Sequence, residues 1–145
     1  MDLSRIRSRK SMRDQPIEEV LALHTWAIVG LSNNEERAAF GVARLLQKKG
    51  HRIVPVHPRA ETVHGEKGYS TISKIPFPVD VVDIFVNSDL AGPVIDETIG
   101  IDAKAVWLQL DVIDEEGLAR AKNAGLLAVM NRCPAIEYGK RESRD

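Results

Sequence analysis

The residues best placed to do chemistry in this 145-residue chain are short polar groups that each follow an apolar run. Gly30, Leu31 and Ser32 follow the first run, with Arg37 a little further on. A glycine at such a place lets a ligand approach the backbone, and the free N–H groups of a helix start hold an anion such as phosphate. Ser32 and Asn33 add donors, and Arg37 adds positive charge. The same loop also reads as a plain helix start capped by Ser32 or Asn34, which needs no ligand. It lacks the G-x-G-x-x-G fingerprint, because no glycine stands between Gly30 and Gly41, and it lacks the lysine of a P-loop.

A second group narrows the ligand. Domains that bind NAD place an acid about twenty residues past the first glycine, where it accepts from the ribose 2′-hydroxyl. This chain has Val56, His57, Pro58 and Arg59 there, and the nearest acid is Glu61. A cation suits a phosphorylated ribose, as in NADP or coenzyme A (CoA), and Pro55 and Pro58 stiffen the exit. Arg59 is equally compatible with a solvated surface position. Gln109 is a plausible polar contributor to the same region, whereas Trp107 reads as core packing. Cys133, beside Arg132, reads first as a buried thiol; the alternative is a reactive one. His24, His51, His57 and His64 show no tight metal-ligand spacing. No G-x-S-x-G elbow occurs, and Glu35, Glu36, Asp80 and Asp83 read as helix-start and strand-edge residues rather than an acid–base pair. No catalytic set is recognised.

The elements that must position these groups alternate. Apolar runs at 25–32, 51–56, 79–86, 103–110 and 126–130 predict strands, and their near-continuous hydrophobicity predicts burial on both faces, hence a parallel sheet. Helical stretches are predicted at 38–49, 90–99 and 114–124, stopped by Gly50, Gly100 and Gly125, after a short first helix with Pro16 in its first turn. The stretch 62–78 breaks the rhythm and is expected to hold a short extra strand. Strand–helix alternation with right-handed crossovers gives a three-layer, Rossmann-type α/β fold with helices on both faces of an open parallel sheet. Ligands of such sheets sit beyond the strands' carboxyl ends. The expected organisation is a basic arm over 1–14, one domain over 15–140 and a tail over 141–145.

Composition sets outer limits. A net charge of −1 carries neither the basic bias of a nucleic-acid binder nor an acidic one. One cysteine excludes an internal disulfide or a cysteine-rich metal site. No apolar run has the length of a membrane helix, and the first residues lack a signal-peptide core, so a cytoplasmic location is expected.

Together the segments AIVGLS…ER, VPVHPR, VHGEKGYSTISKIPFPVDVVDIF, AVWLQL and AGLLAVMNRCPAIE resemble the small bacterial and archaeal CoA-binding proteins related to the N-terminal domain of succinyl-CoA synthetase α subunits. The resemblance covers almost everything from Thr25 to Glu137. It implies that Gly30, Leu31, Ser32 and Arg37 face the pyrophosphate, and that Val56, His57, Pro58 and Arg59 lie along the 3′-phosphate. Phe85, Val86 and Asn87 would flank the adenine or ribose. The chain departs from the family pattern at His57, Val86, Asp111 and Asn131. Three functions follow as expectations. The first is a non-catalytic module binding CoA or acyl-CoA, with a protein partner or a second copy of the chain. The others are an NADP-binding oxidoreductase or redox sensor, and a CoA-ligase-like subunit that needs a partner chain.

Overall fold

Strands this apolar are stable only where both faces are covered, and the structure covers them. The computed structural model describes residues 15–142. Its strands are β1 (Thr25–Val29), β2 (Arg52–Val56), β3 (Val81–Ile84), β4 (Ala105–Leu108) and β5 (Leu127–Val129). They form one sheet in the order β2-β1-β3-β4-β5, with every neighbouring pair parallel. One face carries Trp26, Ile28, Val81 and Trp107 beneath α1 (Ile17–Leu21), α2 (Ala38–Lys48) and α5 (Pro134–Glu142). The other carries Ala27, Val54, Val82 and Val106 beneath α3 (Ser88–Gly100) and α4 (Glu115–Asn123). This is the three-layer Rossmann-type architecture expected from the alternation of runs. Among the described residues no helix is long and apolar enough to cross a membrane.

Several details differ from the sequence expectation. The strands are shorter than the apolar runs, because the runs continue into the loops that leave the sheet. Segment 62–78 forms no strand. It makes an isolated parallel bridge between Val56 and Tyr69, an antiparallel one between Val63 and Glu66, and a 3-10 turn over Ile72–Lys74. Gly68 passes so close to the Glu61 carbonyl that a Cβ would lie 2.1 Å from it, which holds this segment against the exit of β2. Gly50 and Gly125 take the left-handed conformation after α2 and α4, at φ 95° and 91°. Gly100 does not, because α3 runs through it, and Asp102 makes the left-handed turn at φ 56°. Asp tolerates that conformation better than most residues.

Helix α5 was not anticipated. Pro134 begins it and Lys140 and Arg141 occupy its last turn, both ordinary signals for a helix. Glu137, 4% exposed, accepts from Lys140 Nζ at 3.1 Å and from Arg141 Nη1 at 3.4 Å. Arg141 and Glu142, expected in a tail, are therefore helical; the basic arm over 1–14 and residues 143–145 lie outside the described residues.

Asp83 is not a strand-edge residue. It sits mid-way along β3, the central strand, in register with Ile28 and Trp107, and it is fully buried. Neither carboxylate oxygen has a hydrogen-bond partner among the described residues. Burial pushes its pKa well above the usual carboxylate value. The folded state therefore holds a proton that the unfolded chain releases, so stability is full below the unfolded pKa of 3.8 and falls as pH rises toward the raised folded value. Asp83→Asn, neutral at every pH, should flatten that fall and melt above wild type near neutrality. Melting temperatures of both proteins across the acid-to-neutral range check this; parallel curves would contradict it.

Candidate functional site

The crossover from β2 back past β1 to β3 puts helices α2 and α3, which follow the adjacent strands β1 and β3, on opposite faces. A crevice must open between them at the strands' carboxyl ends. The structure has a cleft of about 880 Å³ there, lined by Gly30, Arg37, His57, Arg59, Phe85 and Gln109 among others.

Its floor is set by a close contact. Gly30 N donates to the Val56 carbonyl at 2.8 Å and Phe85 N donates to Val29 O at 2.9 Å, so the β1 exit runs beside those of both β2 and β3. A Cβ on Gly30 would lie 3.1 Å from Phe85 Cβ, and its φ of 102° belongs to the region that side chains disfavour. The β1 loop that follows is shaped from within. Ser32 Oγ accepts from Asn34 N at 3.3 Å, and Asn34 Oδ1 accepts from Glu36 N at 3.0 Å. Neither residue caps α2: its N-cap is Arg37, with no side-chain cap. The N–H groups of Ala38 and Ala39 meet no acceptor among the described residues, and both residues line the cleft. An uncapped start of an eleven-residue helix offers free N–H groups with the positive end of the helix dipole behind them, a combination that suits an anion.

The β2 exit closes the other wall. Asn33 N donates to Glu61 Oε1 at 3.1 Å, so the acid nearest this exit ties two loops together rather than facing a ribose. His57 Nδ1 accepts from Arg59 N at 3.2 Å, which fixes the imidazole within the turn. The Arg59 and Arg37 side chains are exposed on the rim.

Of the ligand-facing residues expected from the sequence, Gly30, Ser32, Arg37, Val56, His57, Pro58, Arg59, Phe85, Val86, Asn87 and Gln109 line this cleft, whereas Leu31 and Asn33 do not; the Asn33 N–H and amide donate to Glu61 and the Thr62 carbonyl instead. Leu31 is fully buried in the core beneath α2. Sequence reasoning missed a third wall, Ser70, Thr71 and Ile72 with Val94 and Glu97, where Ser73 Oγ donates to Glu97 Oε2 at 2.9 Å. The bend at Gly68 that brings this wall in depends on a backbone contact, for which the sequence carries only the glycine.

The remaining candidate groups are placed elsewhere. Cys133 is buried in the core and does not line the cleft. Trp107 is core, its Nε1 donating to Arg132 O at 2.8 Å. His51 Nδ1 faces the Leu23 carbonyl at 2.8 Å and so carries the proton, which leaves Nε2 to accept from the Tyr138 hydroxyl at 2.6 Å. Burial lowers its pKa, against the opposing effect of that carbonyl. His64 Nε2 bonds the Phe40 carbonyl at 2.8 Å. Among the described residues no group of three or more His, Cys, Asp or Glu converges as a metal site.

With the geometry in place, comparison with known proteins decides the family. The model of the CoA binding domain family matches residues 24–139. The chain belongs to that family. It is 32% identical over 112 residues to the uncharacterized protein YneT of Bacillus subtilis (strain 168), covering 77% of this chain and 83% of that one. A hypothetical protein from Pyrococcus horikoshii OT3 superposes with a TM-score of 0.81 at 36% identity, covering 86% of this chain and 88% of that one. A stretch of 61 residues, 41% of this chain, is 34% identical to the acetate–CoA ligase [ADP-forming] II subunit alpha of Pyrococcus furiosus, of which it spans 13%. The chain is thus similar both to chains of comparable length and to a short stretch of a ligase subunit.

The Gly30–Phe85 contact yields a test that needs no ligand. Gly30→Ala should cost about 1–3 kcal/mol, from the left-handed backbone and the tight contact together. Gly41→Ala, inside α2 with nothing within 4 Å of its Cβ, should be neutral or slightly stabilising. Urea denaturation of both variants checks the contrast; a Gly30→Ala protein as stable as wild type would remove the packing constraint. The same cost makes Gly30→Val a poor probe of binding, since the fold itself would suffer.

Proposed function

We propose that the cleft binds CoA or an acyl-CoA and that the chain acts as a binding module with no covalent chemistry of its own. The observation that carries this is the uncapped start of α2 facing Gly30, flanked by Arg37 and Arg59. That arrangement offers backbone N–H groups and close approach to a pyrophosphate, and cations to a further phosphate. Family membership selects CoA over NADP among ligands with a phosphorylated ribose. His57 and Arg59 meet the 3′-phosphate, and Phe85, Val86 and Asn87 flank the nucleoside. The absence of chemistry is supported by how the cleft's own groups are used. Ser32 Oγ and His57 Nδ1 both accept from backbone N–H groups of their own turns.

A second reading is favoured by the match to the acetate–CoA ligase alpha subunit. On it, the chain is the CoA-holding part of a ligase-like assembly and a partner chain supplies the reacting groups. Both readings place CoA in the same cleft.

CoA should bind at least about tenfold more tightly than dephospho-CoA, the scale of a charge-assisted contact worth roughly 1.5–3 kcal/mol. Arg59→Gln should remove most of that difference while leaving dephospho-CoA affinity unchanged. Calorimetry with CoA, dephospho-CoA, NADP and NAD side by side reads all of it. Equal affinity for CoA and dephospho-CoA would remove the 3′-phosphate assignment, and preference for NADP would remove CoA.

A further inference from the structure

The sheet order turns position along the cleft into charge. The strand exits follow one another as β2, β1, β3 and β4 across it, spaced by about 4.8 Å per strand. Arg37, His57 and Arg59 all belong to the β1 and β2 exits. From Phe85 to Val112 the lining contains no lysine, arginine or histidine.

The β4 exit presents acceptors instead. Gln109 is 6% exposed and lines the cleft, and its Oε1 has no hydrogen-bond partner among the described residues. A buried amide oxygen without a donor is costly, so a donor arriving with a ligand is favoured there. Asp111 lies on the lip two residues on, exposed, and no described residue pairs with its carboxylate. Its position is fixed from both sides. Its N–H donates to Asn131 Oδ1 at 2.8 Å and its carbonyl accepts from Ser88 Oγ at 3.3 Å. It also holds φ at 71°, a conformation for which glycine is the low-cost residue. A carboxylate is thus kept at the end of the cleft that has no cation, next to Leu110 and Val112.

We propose that this lip sorts thioesters by charge: the cleft takes CoA esters of neutral acyl groups and discriminates against those whose acyl group ends in a carboxylate. The inference rests on the CoA reading, with the phosphates at the β1 and β2 exits and the pantetheine arm directed toward β4. An amide N–H of that arm donates to Gln109 Oε1, and the acyl group then meets Leu110, Val112 and Asp111. A neutral chain finds apolar contact there; a second carboxylate finds only like charge.

Butyryl-CoA and succinyl-CoA have the same number of acyl carbons and differ by the terminal carboxylate, so they form a matched pair. At low ionic strength, calorimetry should show butyryl-CoA binding about fivefold or more tightly than succinyl-CoA, the scale of one like-charge contact at a partly exposed lip. Asp111→Asn and Asp111→Gly both tolerate the left-handed backbone, and each should bring the ratio to within about twofold by removing that charge. Added salt should narrow the ratio in wild type and leave it unchanged in the variants. Equal affinity for the two esters in wild type, or a ratio that neither variant changes, overturns the selection and leaves CoA binding standing. Failure of CoA itself to bind overturns the reading of the cleft, and the selection with it.

Discussion

Both faces of the sheet must be buried, and this constraint places everything else. Trp26, Ile28 and Trp107 on one face and Val54, Val82 and Val106 on the other are at most 2% exposed, so helices have to cover both sides. With every strand parallel, each connection must then return over a face, and the five exits are gathered at one end of the sheet. The gap between the layers opens only where adjacent strands send their helices to opposite faces. That place is the β1–β3 boundary, where Gly30 packs on Phe85. The cleft follows from the burial of the core, and the chain needs no separate device to create it.

How much of this is legible in the sequence depends on whether a feature is local. The parallel sheet and its helices are written in the apolar runs and their glycine stops, and the convergence of the exits follows from the topology those runs imply. Hence most of the polar residues named from the sequence line the cleft, because they stand at or just past the end of a run; Asn33 does not, since its N–H and amide are taken up by Glu61 and Thr62. Leu31 fails for the same reason in reverse: it follows Gly30 in the loop, yet its side chain turns back into the core. Gly100 misleads because glycine permits a stop without imposing one, and the helix continues to where Asp102 can turn. Helix α5 is not predicted from the sequence although Pro134 and the basic last turn are helix signals, because its anchors are polar: Tyr138 to His51, Glu137 to Lys140 and Arg141. The wall from Ser70 to Ile72 was not legible, since it depends on how Gly68 meets the backbone of Glu61.

Asp83 shows the limit of reading a residue by type. A carboxylate in an apolar run is expected at an edge, where water reaches it. In fact β3 is the central strand, and position 83 alternates onto the same face as Val81, under the layer that contains α2 and α5. Burial there without a partner penalises the ionised carboxylate and so raises the Asp83 pKa, favouring the neutral acid. Gln109 stands on the neighbouring strand's exit, alternating onto that same face, and is likewise short of a donor. Both orphan acceptors thus belong to the two strands on the β3–β4 side of the cleft, while the side chains of the β1 and β2 loops are largely engaged by their own turns.

That asymmetry separates the two halves of the site in kind. The β1 and β2 exits are preorganised: Ser32, Asn33, Asn34 and His57 hold their turns, and Glu61 ties one loop to the other. What they leave open are N–H groups and exposed arginines, a rigid cradle for an anion whose affinity loses little to ordering. The β4 exit is also fixed in backbone, since Asp111 and Asn131 are both left-handed and bonded to each other. Its free groups, however, are acceptors and exposed apolar side chains. A ligand that satisfies both halves must be anionic at one end and neutral, with N–H donors, toward the other. Two backbone residues held off their preferred conformation at the neutral end are a standing cost, and such strain persists only where the surrounding structure fixes it. Here the hydrogen bonds from Asp111 N to Asn131 and from Ser88 to the Asp111 carbonyl supply that fixation, which ties the shape of the lip to the strands β3 and β4 beneath it.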